Sequence, residues 1–139
     1  MLFRSPVADT TPRRLLYVED NPSNVDLLRQ VLSLRPRYSL AVAADGLAGL
    51  AMAQAQAFDL AIIDIDLPGI DGVELCRRLK AAPATRALPL VALSANAMQA
   101  DIRRARQAGF ALYLTKPIDV QHVLTQLDRM LDAAPRPAL

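Results

Sequence analysis

Five short apolar runs recur along this chain at residues 14–18, 38–43, 60–63, 88–93 and 111–114, each followed by polar or turn-forming residues. Runs this short, apolar on successive residues, read as strands buried on both faces, the habit of parallel sheets. Between them the apolar spacing changes to a helical period. Val25, Leu28, Val31 and Leu32 share one helical face, and Val120, Val123, Leu124, Leu127 and Leu131 form a stripe near the end.

The polar residues at the joints predict where each helix starts. Asn21-Pro22 offers an N-cap followed by proline in the first helical position, and Arg35-Pro36-Arg37 closes that helix. Asp45-Gly46 opens an alanine-rich helix to about Gln56, carrying Leu47, Leu50 and Met52. Asp71 caps a third helix, with Glu74 at capping-box spacing and Val73, Leu75, Cys76 and Leu79 inside it. Residues 81–87 form a loop. Asn96 and Gln99 repeat the capping-box spacing and open a helix to about Gln107, which Ala108-Gly109 ends. Asp119 caps the last helix.

Strand and helix thus alternate five times, which calls for a parallel sheet with helices on both faces. Right-handed crossovers put every strand's C-terminal end on one edge, where ligands of such sheets bind. The chain has 139 residues, 53% hydrophobic and 22% charged, enough for one domain with a substantial core. A net charge of +2 is too small to argue for nucleic acid without a clustered patch. Cys76 is the only cysteine, which excludes an internal disulfide. No apolar stretch is long enough to span a bilayer, and Met1-Leu2-Phe3-Arg4 lacks the apolar centre of a signal peptide. The expectation is a soluble, cytoplasmic protein with no membrane or nucleic-acid partner. The expected division is a flexible lead-in at 1–13, one domain at 14–132 and a flexible tail at 133–139.

What collects at the strand ends gives the chemistry. Glu19 and Asp20 follow the first strand, Asp64 the third, Ser94 the fourth and Lys116 the fifth. With strand order 2-1-3-4-5 the first and third strands are neighbours, so three carboxylates converge. Two such charges ~5 Å apart repel by roughly 3 kcal/mol at an effective dielectric of 20. Lys116 offsets part of this, and a hard divalent cation such as Mg²⁺ would offset more.

Glu19-Asp20, Asp64 with Pro68 and Asp71-Gly72 beyond it, Ser94-Ala95 and Lys116-Pro117 together resemble the receiver domain of bacterial response regulators. The likeness covers residues 14–132. The wording Val-Glu-Asp-Asn-Pro, Asp-Ile-Asp-Leu-Pro-Gly-Ile-Asp-Gly, Ala-Leu-Ser-Ala-Asn-Ala-Met and Thr-Lys-Pro-Ile is most similar to receivers of hybrid sensor kinases. The resemblance implies the flavodoxin-like fold of five strands and five helices. It implies Asp64 as acceptor of a phosphoryl group from a phosphohistidine. Asp20, Asp64 and the backbone carbonyl of Asp66 would hold Mg²⁺, with Glu19 acting through a bound water. Lys116 and Ser94 would meet the phosphoryl oxygens, and Ser94 with Tyr113 would form the switch. Lys116-Pro117 would be cis. The partners implied are a histidine kinase or a histidine phosphotransfer protein. The face of the fourth helix, fifth strand and last helix becomes an output surface or a homodimer contact, with Arg103, Arg104 and Arg106 on it. The chain would be no enzyme beyond its own phosphorylation and slow autodephosphorylation.

Plainer readings stand beside these. Asp64 alone is as often a strand cap, Glu19-Asp20 alone suit a helix start, Ser94 suits a cap and Tyr113 static packing. Asp71 reads as a helix cap, Cys76 as a core thiol and His122 as a surface helix residue. Asp64-Ile65-Asp66 also resembles the start of haloacid dehalogenase-like phosphatases, where the second Asp is a general acid. That motif normally follows a first strand, whereas here it follows the third. A pseudo-receiver that never takes phosphate and a flavin-binding flavodoxin share the topology. Asp66 departs from the commoner receiver pattern, and its charge is expected to slow attack on anionic donors or alter the lifetime of the phosphorylated form.

Overall fold

The computed structural model describes residues 11–133. Strands β1 (Arg13–Val18), β2 (Tyr38–Ala43), β3 (Leu60–Asp64), β4 (Leu90–Ser94) and β5 (Leu112–Thr115) form one parallel sheet of order β2-β1-β3-β4-β5. Helices α1 (Pro22–Leu32), α2 (Gly46–Ala55), α3 (Gly72–Ala81), α4 (Gln99–Ala108) and α5 (Val120–Ala133) connect or follow the strands. The expected flavodoxin-like alternation and strand order are both present.

Successive strand residues point to opposite faces, and the sheet divides its core accordingly. Leu15, Tyr17, Leu60, Ile62, Val91, Leu93 and Leu114 face α1 and α5, meeting Leu28, Val31, Leu124 and Leu127. Leu16, Val18, Ala61, Ile63, Leu90 and Ala92 face the other helices, meeting Leu75, Cys76, Leu79 and Ala105. Every residue of β3 and β4 is buried, because each strand has neighbours on both sides and helices on both faces.

The caps explain most helix starts. Asn21 accepts the Ser23 N–H at 2.9 Å, and Asp45 accepts the Ala48 N–H at 2.8 Å. Asp71 accepts the Glu74 N–H at 2.8 Å, and Asp119 the His122 N–H at 2.9 Å. The reciprocal half of the Asp71–Glu74 box does not form, since Glu74 Oε2 takes the Arg78 guanidinium at 2.9 Å. The Asn96–Gln99 box is a correction. The N-cap of α4 is Met98, without a side-chain cap bond, and Asn96 Oδ1 instead accepts the Met98 N–H at 2.9 Å. That local turn satisfies the amide one step too early to cap the helix.

Of the expected lead-in, residues 1–10 lie outside the described residues, and Arg13 is not loose. It opens β1 at 2% exposure and donates to the Leu131 carbonyl at 3.0 Å, joining the sheet to α5. Of the expected tail at 133–139, Ala133 is the last residue of α5, and residues 134–139 lie outside the described residues. Among the described residues, no helix is long and apolar enough to cross a membrane.

Candidate functional site

Strand register brings the acids together. β1 and β3 pair in parallel with Val18 beside Ile63, so the residues after Val18 leave the sheet next to Asp64. One carboxylate oxygen from each of Glu19, Asp20 and Asp64 lies within 4.8 Å of the others. Glu19 and Asp64 are buried, at 2% and 3% exposure, while Asp20 is exposed and leaves the cluster reachable from solvent. Three convergent hard oxygen donors, one of them solvent-facing, fit a Mg²⁺ that keeps some of its waters.

Both oxygens of Asp64 are held. Oδ1 accepts the Asp66 N–H at 2.9 Å, and Oδ2 accepts from Lys116 Nζ at 3.1 Å. Lys116 also reaches Glu19 Oε1 at 3.4 Å. Burial disfavours the Lys116 charge, but the carboxylates of Asp64 and Glu19 outweigh it and hold the ammonium above its usual range. Lys116–Pro117 is cis, as expected. The backbone also closes tightly around Asp64. Gly72 N–H donates to the Ile65 carbonyl at 3.0 Å, and a Cβ on Gly72 would stand 2.5 Å from the Asp64 carbonyl oxygen. Only glycine lets α3 begin that close to the end of β3.

Glu19 is the most heavily bonded acid of the cluster. Its Oε1 accepts from the Tyr17 hydroxyl at 3.1 Å and from Asn24 Nδ2 at 3.0 Å, besides Lys116. Oε2 accepts the Asn21 N–H at 3.3 Å. Burial, and then the neighbouring Asp64 carboxylate, push its carboxyl above the ordinary range, against the pull of Asn21 and Lys116. Tyr17 and Asn24 are functional neighbours that sequence reasoning missed. Tyr17 carried a signal, because residues i and i+2 at a strand end share a face.

The remaining candidates sit around this centre. Ser94 ends β4 beside Thr115 of β5, is buried, and its Oγ accepts the Asn96 N–H at 3.0 Å. Tyr113 is half-buried, and its hydroxyl donates to the Asn96 carbonyl at 2.5 Å. Ser94 and Tyr113 line a cavity of about 370 Å³ with Asp66, Asp71, Asp101 and Arg104. The Asp66 side chain is exposed and lies outside the three-carboxylate cluster. Asp71 caps α3 and lies 3.8 Å from Arg104. Cys76 is a buried thiol with its pKa pushed up to about 11 by burial, and His122 is exposed on α5.

This geometry has close counterparts. PleD, a response regulator of Caulobacter vibrioides, is 39% identical over 106 residues, 76% of this chain and 23% of PleD. The polar-differentiation response regulator DivK of Brucella anthropi is 33% identical over 123 residues, 88% of this chain and 99% of DivK. The chain therefore spans under a quarter of PleD, but nearly the whole of DivK. The receiver domain of the sensor histidine kinase PA1611 from Pseudomonas aeruginosa PAO1 superposes with a TM-score of 0.80 at 32% identity, over 88% of this chain and all of that one. That structure holds a magnesium ion coordinated in its active-site cleft. The response regulator receiver domain family matches residues 15–128, a span running from β1 into α5 and containing every acid, the serine and the lysine above. With sheet order, strand-end chemistry and family match all agreeing, this chain belongs to the response regulator receiver domains of two-component and phosphorelay signalling.

Proposed function

We propose that Asp64 is the phosphoacceptor and takes its phosphoryl group from the phosphohistidine of a sensor histidine kinase or a histidine phosphotransfer protein. One observation carries this reading: the Asp64 carboxylate is held on one oxygen by a backbone N–H and on the other by Lys116, beside two further acids. A carboxylate so oriented presents a fixed nucleophile. One of its oxygens attacks phosphorus in line, the new O–P bond forms as the N–P bond breaks, and the imidazole leaves with the electron pair. Lys116 stays beside Asp64 and meets the anionic phosphoryl oxygens, and the Ser94 hydroxyl donates to one of them.

Asp20, Asp64 and the Asp66 backbone carbonyl are the ligands for Mg²⁺, with Glu19 acting through a bound water. The cation's contribution is to offset the negative charge that the phosphoryl group adds to an acidic cluster. The chain catalyses only its own phosphorylation and the slow loss of the group. Ser94 and Tyr113 form the switch, and the α4–β5–α5 face, with exposed Arg103, Arg104 and Arg106, is the output or homodimer surface.

Intact-mass spectrometry after incubation with Mg²⁺ and acetyl phosphate tests the reading. One added phosphoryl group is expected, and none in Asp64→Asn. An unchanged mass would return the chain to the pseudo-receiver reading, and a label surviving Asp64→Asn would move the acceptor elsewhere.

A further inference from the structure

Glu19 Oε1 receives hydrogen bonds from three different elements. Tyr17 comes from within β1, Asn24 from the first turn of α1, and Lys116 from just beyond β5. Lys116 is shared with Asp64, whereas no bond from Tyr17 or Asn24 to any other carboxylate of the cluster is present among the described residues. Among the described residues, Oε2 keeps a single contact, the Asn21 N–H at 3.3 Å. The bonding is thus lopsided, with one oxygen gripped and the other lightly held.

We propose that Tyr17 and Asn24 are positioning residues of the cation site, fixing the Glu19 carboxylate by one oxygen so that the other serves the cation's water. The inference rests on the proposed Mg²⁺ ligand set. Tyr17 is fully buried between the sheet and the α1–α5 face, where a phenol needs a hydrogen-bond acceptor, and Glu19 provides it. The ring's packing locks the hydroxyl in place. Asn24 sits half-buried on α1, so the same contact ties the helix to the acid. A group that orients a ligand from behind controls affinity without touching the ion.

The test is a calorimetric titration with Mg²⁺ alone, phosphodonor absent, on the full chain. Tyr17→Phe keeps the ring and removes only the hydroxyl, and it is expected to weaken Mg²⁺ binding roughly tenfold. Asn24→Ala, a helix-favouring change, is expected to weaken it severalfold. With acetyl phosphate, both variants should need more Mg²⁺ for half-maximal labelling while reaching the wild-type rate at saturation. A purely structural role would lower that plateau instead. Asp20→Asn separates the two levels of argument. If it leaves Mg²⁺ binding intact, the ligand set itself is wrong. If it abolishes binding while Tyr17→Phe and Asn24→Ala bind as tightly as wild type or tighter, only the positioning role is overturned. Should Tyr17→Phe fail to fold, Asn24→Ala decides alone.

Discussion

Lys116 Nζ stands 3.1 Å from Asp64 Oδ2 and 3.4 Å from Glu19 Oε1, the ammonium bridging two buried acids, one ending β3 and the other just beyond β1. Its removal has opposite effects on two measurable quantities. Lys116→Ala leaves the acidic cluster more negative, so Mg²⁺ affinity should rise. It also withdraws a fixed positive charge from the proposed phosphoryl position, so labelling by acetyl phosphate should slow on the order of 10²-fold. Calorimetry and time-resolved intact mass read the two separately. Labelling at the wild-type rate would exclude Lys116 from the chemistry.

Asp66 adds an exposed carboxylate to a cavity already lined by Asp71 and Asp101. A charge at such a solvated position acts on an approaching anion by roughly 0.5–1 kcal/mol, a two- to fivefold effect. Asp66→Asn should therefore speed labelling by acetyl phosphate by about that factor at low salt, and the gain should shrink as salt screens it. Equal rates for the two proteins at low ionic strength would remove Asp66 as a brake.

The list of strand-end residues was readable because it follows from local pattern, whereas the sheet order came with the family resemblance. Five apolar runs separated by helices leave few parallel topologies, and every run except the second leads into a polar residue at the same edge of the sheet. What failed were choices between competing side-chain partners. Glu74 had the spacing of a capping box, but Arg78 four residues on offered a cation on the same helical face. Asn96 had the composition of a cap and spent its amide on Met98. Arg13 looked like part of a solvated lead-in, yet the end of α5 covers it, a contact across 118 residues. Gly72 was legible only as part of a motif. Its reason, a 2.5 Å approach to the Asp64 carbonyl, is tertiary.

A second charge network lies away from the acid cluster, where β2 begins and α5 ends. Asp128 of α5 accepts from Arg35 Nη2 at 2.9 Å and from the Tyr38 hydroxyl, with Arg37 3.7 Å away. Burial works against the Asp128 charge, but Arg35, Tyr38 and Arg37 outweigh it and hold the carboxyl below the ordinary carboxylate range. A lowered folded value means that the ionised group stabilises the fold above its unfolded value of about 3.9. That contribution is lost as pH falls through the lowered folded value. Asp128→Asn should cost about 1–2 kcal/mol at neutral pH. The gap between the two proteins in urea unfolding should close as the medium is acidified below pH ~4. A gap that does not change with pH would mean that shape, rather than charge, holds α5 here.

Tyr113 offers a direct view of the proposed switch. Tyr17 and Tyr38 are 0% and 7% exposed, so the tyrosine fluorescence that an aqueous quencher can reach belongs mainly to Tyr113. Its hydroxyl is held by the Asn96 carbonyl, two residues beyond Ser94. If Ser94 turns toward a phosphoryl group, its bond from the Asn96 N–H is disturbed, and the backbone segment holding Tyr113 is disturbed with it. Space opens in the cavity that Ser94 and Tyr113 share, and the ring is expected to move into it. Iodide quenching should therefore fall when beryllofluoride and Mg²⁺ are added together, and change little with Mg²⁺ alone. Ser94→Ala should blunt that fall, because the hydroxyl that couples the two positions is gone. Tyr113→Phe should remove most of the quenchable signal at the outset. If quenching in the wild-type protein is the same with and without beryllofluoride, Tyr113 is static packing, and the proposed output face must be reached by another route.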